Sequence, residues 1–192
     1  MKKNEYFKNL CSKILSKSES ANWEDAVNEW KISDWEEDAT LSQSCICGKE
    51  HLRCLFTIVN EINGNVLYPI GSTCIHKFNR SELDDETSNI TAMYKLYDAI
   101  NNHEFITLSS KYFSKKLLYY LYKKGAFEEN EYNEYSSYND YAFLLKMFMK
   151  RNKTNITKNQ QGKINAIIYK SIIKFLKNNL NFHNNNIVRG EE

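Results

Sequence analysis

Four of the five cysteines of this chain fall between positions 45 and 74, and no other segment restricts the fold as strongly. The window opens with Cys45-Ile-Cys47-Gly48 and closes with Gly71-Ser-Thr-Cys74. Two thiols one residue apart on a tight turn can face one point, and the glycine after them permits the backbone angles of that turn. Between the two ends, residues 52–60 and 65–70 have strand character and flank Asn63-Gly64, a two-residue hairpin signal. If Asn63 and Gly64 are the turn, Ile62 pairs with Asn65 and Cys74 lies opposite Arg53. The return strand then brings Cys74 back beside the Cys45–Cys47 turn. Thiolates are soft ligands, so the pattern predicts a bound Zn2+.

The same register predicts the fourth ligand. It places His51, Arg53 and Leu55 on one face with Cys74 and His76. Cys54, Phe56, Ile58 and Leu67 lie on the other face, which is the more apolar and is expected to be core. The expected ligands are therefore Cys45, Cys47, His51 and Cys74, with Cys54 the second choice for the fourth position and His76 the third. A bulge near Pro69 or Gly71 exchanges the faces and the choice with them. A closed site of this kind is structural rather than catalytic, because no glutamate is placed beside it as a general base.

An odd cysteine count without a secretory leader predicts reduced thiols in a cytoplasm. No run approaches the roughly 18 apolar residues of a membrane span. Six glycines and one proline argue against a many-turned all-β design, while 14% aromatic residues supply a core. The net charge of +2 conceals an asymmetry. Residues 19–50 hold nine acids against Lys31 and Lys49, and residues 146–189 hold ten bases and no acid. Such blocks are either solvated faces or docking patches of opposite sign.

Along the chain, Tyr6, Phe7, Leu10, Ile14 and Leu15 recur at helical spacing and predict a helix over 3–18. A short helix is expected over 21–30, and an irregular acidic segment anchored by Trp35 over 30–44. Residues 72–78 resemble the first turns of a helix. Further helices are expected over 90–101, over 110–124 with Gly125 as a left-handed stop, from an Asn139 cap to Arg151, and from a Thr157–Gln160 capping box to about Leu180. The polar segment 128–138 reads as a loop whose tyrosines at 132, 135 and 138 are expected to cover the helical core, with stacking on nucleic-acid bases as the alternative. The predicted fold class is α+β, a small zinc-pinned β-hairpin module with an N-terminal helix, followed by a mainly helical bundle. The predicted divisions are an N-terminal helical and acidic segment (1–40), the zinc module (41–82), the helical domain (83–181) and a flexible tail (182–192).

On the last predicted helix, Ile164, Ile167, Ile168, Ile172, Phe175 and Leu176 form a core stripe. Lys163, Lys170, Lys174 and Lys177 fall opposite, where they offer a patch to nucleic-acid phosphate or to an acidic protein. There is no glycine-rich phosphate loop and no nucleophile elbow, so the chain is expected not to be an enzyme.

The string Cys45-Ile-Cys47-Gly-Lys-Glu-His51-Leu, with Asn-Gly and Tyr68-Pro-Ile-Gly-Ser-Thr-Cys74-Ile-His-Lys-Phe78, resembles a small zinc-module family of phage and mobile-element proteins from AT-rich Gram-positive bacteria. The resemblance covers about residues 40–80. It implies an accessory protein of the bacterial host cytoplasm, of the kind that includes anti-CRISPR proteins binding Cas9 or its guide-RNA complex. The alternative function is nucleic-acid binding through the basic 146–189 segment.

Overall fold

A computed structural model describes the backbone of residues 2–186 and the side chains of residues 4–180. The chain is α+β, with an N-terminal helix, a three-stranded antiparallel sheet and a mainly helical remainder. It divides into two compact units, residues 1–88 and 89–192. Among the described residues no helix is long and apolar enough to cross a membrane.

The first unit begins with helix α1 (Lys2–Leu15), which buries Leu10 and Ile14. One turn of helix, α2 (Trp23–Ala26), is capped by the Asn22 side chain, which accepts from the Asp25 amide at 2.9 Å. Strand β1 (Trp30–Glu37) follows, then β2 (Cys54–Asn60) and β3 (Val66–Ile70), in the order β1-β2-β3. The expected irregular segment over 30–44 is thus a strand for eight of its residues. Its register on β2 slips between Ile32 and Asp34, so the apolar positions do not alternate along it. As an edge strand, its exposed Asp34 and Lys31 keep the open edge polar.

The hairpin register also differs from the two-residue turn. Ile58 pairs with Leu67 and Val59 with Val66, because Asn60 to Asn65 close a longer loop. The Asn60 side chain makes that loop, accepting from the amides of Ile62 (2.8 Å) and Asn63 (3.1 Å). Gly64 completes it at φ +74°. A second slip separates Ile58 from Phe56, which pairs with Ile70 across from Pro69, a residue with no N–H to give the ladder. The slip turns Ile70 into the core with Phe56, Ile58 and Leu67, contrary to the simple register. After β3, one helical turn, α3 (Ser72–Ile75), runs into a tighter turn over His76–Phe78.

Helix α4 (Ser81–Asn101) carries the boundary between the units. In the second unit, α5 (Lys115–Lys123) begins later than 110 because the Ser114 hydroxyl caps it, accepting from the Leu117 amide at 3.0 Å. Gly125 follows at φ +81°, the expected left-handed stop. Helix α6 (Ser137–Met149) starts ahead of Asn139, whose amide donates back to the Asn133 carbonyl at 3.0 Å instead of capping. Helix α7 (Lys158–Ile167) has the expected Thr157–Gln160 capping box, with both reciprocal bonds formed. A wider π-type turn over Ile168–Ile172 leads into α8 (Ile173–Asn186). The expected tail therefore starts as helix, and residues 187–192 lie outside the described residues.

Candidate metal centre

The sheet and the one-turn helix bring three of the expected ligands together. Cys45, Cys47 and Cys74 are buried, and their sulfurs lie within 4.8 Å of one another. The Cys74 sulfur is 3.5 Å from that of Cys45 and 3.4 Å from that of Cys47. Tetrahedral zinc with Zn–S bonds of about 2.3 Å sets its sulfurs roughly 3.8 Å apart, whereas a disulfide needs about 2.05 Å. The three thiols thus have the spacing of ligands around one ion.

Local backbone chemistry fixes each of them. The Cys45–Cys47 turn is closed by Gly48 donating to the Cys45 carbonyl at 2.7 Å, and Cys45 donates to Lys49 at 2.8 Å. Gly48 sits at φ +92°, a region unfavourable to any residue with a Cβ. Ile46 donates to the Pro69 carbonyl at 2.9 Å, which ties the turn to the end of β3. The Gly71 amide donates to the Cys45 sulfur at 3.4 Å. A Cβ at Gly71 would lie 3.0 Å from Leu52 Cδ2, so a larger residue there would push the Leu52 side chain by a few tenths of an ångström.

The thiols share charge unequally. Hydrogen bonding from Cys74 brings the Cys45 thiol down to about 5 against its burial. Cys74 is pushed up by Cys45 and by burial, and Cys47 is raised chiefly by burial. Of the three, Cys45 is the thiol whose ionisation the cluster favours, and a cation at the centre of the three sulfurs would favour ionisation of the other two.

His51 is not in the cluster. It is exposed at φ +61°, and its Nδ1 is 3.1 Å from the Leu41 carbonyl. The simple hairpin register aligned it with Cys74, and the slip beside Pro69 breaks that alignment. Cys54 pairs with Glu37 at the start of β2, and His76 sets its Nδ1 2.5 Å from Asp84. Neither belongs to the cluster.

Helix α1 supplies residues that the cysteine spacing could not reveal. Asn9 donates to the Cys47 carbonyl at 3.1 Å. Cys47 and Cys74 line a cleft of about 330 Å3 together with Tyr6, Phe7, Leu10, Lys49, Thr73 and Lys77. The apolar stripe of α1 was the available signal, since Tyr6, Phe7 and Leu10 belong to it. Trp23 bridges the neighbouring packing, with edge contacts to Phe7 at 5.4 Å and Phe78 at 5.7 Å.

The two charged blocks resolve into used and exposed charges. Buried Glu29 accepts from the Glu19 and Ser20 amides and from the Asn60 side chain. Buried Glu37 accepts from Arg53 at 2.7 Å, and Glu36 accepts from the Tyr68 hydroxyl. Asp38 gathers the amides of Thr40, Ser42 and Gln43 at 2.7–2.9 Å. Glu24, Asp25, Asp34 and Glu50 remain on the surface. On the basic side, Lys163 lies 3.4 Å from Asp140 and over the Phe143 ring, and Lys174 pairs with Glu128 at 2.6 Å. Lys170 and Lys177 are exposed, and Arg189 of the same block lies outside the described residues. Comparison with protein-family models, curated proteins and solved structures finds no match to this chain.

Proposed function

We propose that this chain is a non-catalytic, zinc-pinned binding protein whose target is a host defence nuclease, the type II CRISPR nuclease Cas9 or its guide-RNA complex. The observation that carries the metal part is the convergence of three buried thiols at the base of a β-ribbon. The role of the ion is structural: it ties the 45–48 turn to α3. The groups beside the thiols are Tyr6, Phe7, Leu10, Lys49, Thr73 and Lys77, which offer packing and positive charge rather than a carboxylate or imidazole base. Support for the partner comes from the resemblance of residues 40–80 to phage zinc modules and from the acidic surface of the first unit. Glu24, Asp25, Asp34 and Glu50 give that surface the sign needed to compete for a basic nucleic-acid channel.

A cleavage assay tests the partner. Purified chain added to a Cas9–guide complex is expected to block cutting of a matched duplex. Reversing Glu24, Asp25 and Asp34 to lysine is expected to weaken the block by about tenfold or more. Undiminished cutting in the presence of excess chain contradicts the reading.

A further inference from the structure

The helical unit carries a feature that metal binding does not use. Four tyrosine rings meet on α5 and α6. Tyr122 and Tyr141 stack at 5.0 Å with 16° between their planes. Tyr119 lies 6.0 Å from Tyr141, and Tyr138 lies 6.1 Å from Tyr122. The expectation was that Tyr138 and its neighbours cover the core, yet Tyr138 is 56% exposed and Tyr119 is 52% exposed. Tyr132 and Tyr135, in the segment just before α6, are more exposed still. The core beneath is already filled by Leu117, Leu118, Leu121 and Leu144.

Cations frame these rings. On α5, Lys115, Tyr119, Tyr122 and Lys123 recur at i, i+4, i+7 and i+8, so they share one helix face. That helix has no acid. On α6, Tyr138 and Tyr141 stand at i and i+3, and Lys146 follows at i+8. The one acid of α6, Asp140, is buried and accepts from Asn133 at 2.9 Å. A groove of about 410 Å3 runs from Tyr138 and Tyr141, past Leu145, to Lys146 and Met149. Lys115, Lys123 and Lys146 are all exposed.

Flat ring faces with flanking lysines and no opposing exposed acid on either helix suit an anion that itself carries flat faces. Single-stranded nucleic acid has both, since its bases can leave the strand and stack on aromatic side chains while its phosphates meet the lysines. In a duplex the base faces are already covered by their neighbours. We propose that Tyr119, Tyr122, Tyr138 and Tyr141, with Lys115, Lys123 and Lys146, form a stacking surface for single-stranded nucleic acid. This surface is distinct from the basic face of α7 and α8 and does not depend on the metal centre.

Fluorescence anisotropy of the full chain tests it, with labelled oligothymidine and oligouridine of about 15 nucleotides and a duplex of the same length as probes. The single strands are expected to bind, and the duplex at least about tenfold more weakly. Exchanging Tyr119 and Tyr138 together for alanine is expected to cost at least about fivefold in affinity, and exchanging both for phenylalanine to restore it. Changing Lys115, Lys123 and Lys146 to glutamine is expected to flatten the salt dependence by a log–log slope of about 2. Changing Lys170 and Lys177 to glutamine leaves binding in place. The proposal is overturned if neither strand binds at about 50 mM salt, or if duplex binds equally well. It is also overturned if the folded alanine pair binds like the unaltered chain, or if the lysine triple leaves the slope unchanged.

Discussion

Glu29 shows how much a single side chain of the acidic block can hold. Burial raises its carboxyl, but hydrogen bonds from Ser20, Asn60 and Glu19 outweigh that and bring it from 4.5 down to about 2. A carboxylate lowered on folding stabilises the folded state above its unfolded value and loses that contribution as it protonates. The first unit is therefore expected to lose stability between about pH 4.5 and 2 in an acid titration followed by circular dichroism. In Glu29→Gln that part of the pH dependence should vanish. A variant with the same acid slope as the unaltered chain would remove Glu29 from the account. His51 gives the complementary test. Cys74→Ser is expected to lower zinc affinity by more than the roughly 10–100-fold that loss of an outer partner costs, while His51→Ala leaves it unchanged, both measured by competition with a chelating dye. Loss of zinc in His51→Ala would restore the four-ligand expectation drawn from the hairpin register.

At the scale of elements, legibility followed periodicity. The capping box at Thr157 and the left-handed stop at Gly125 are local chemistry, and both were readable from a few residues. Gly125→Ala is accordingly expected to cost about 1–2 kcal/mol in a denaturant melt, from the left-handed backbone alone, since a Cβ there meets nothing within 4 Å. Strand β1 was not readable because acids depress strand propensity and the slip at Ile32/Asp34 breaks the alternation. The hairpin was readable as a hairpin but not in register, because the Asn60 side chain chose a longer loop. Three cysteine ligands survive that error because the Ile46–Pro69 hydrogen bond ties the Cys45–Cys47 turn to the end of β3, just ahead of Cys74 in α3. The fourth does not, because the further slip at Pro69 is by one. Phe56 marks the core that results: it is fully buried, and Phe56→Ala is expected to cost about 3–5 kcal/mol.

For the whole molecule, the two compact units predict two different responses to metal loss. The first holds all three converging thiols, and the second holds none. Hydrogen exchange with and without a chelator should show amides of 45–48 and 66–78 losing protection, while those of α7 and α8 keep theirs. Uniform loss across both units would mean that the ion supports more than the β module. The most direct measurement is elemental analysis of the purified chain after gel filtration, beside a variant with Cys45, Cys47 and Cys74 all changed to serine. The account predicts about one zinc ion per chain and none in the variant. An intact, reduced chain with no bound metal would contradict it.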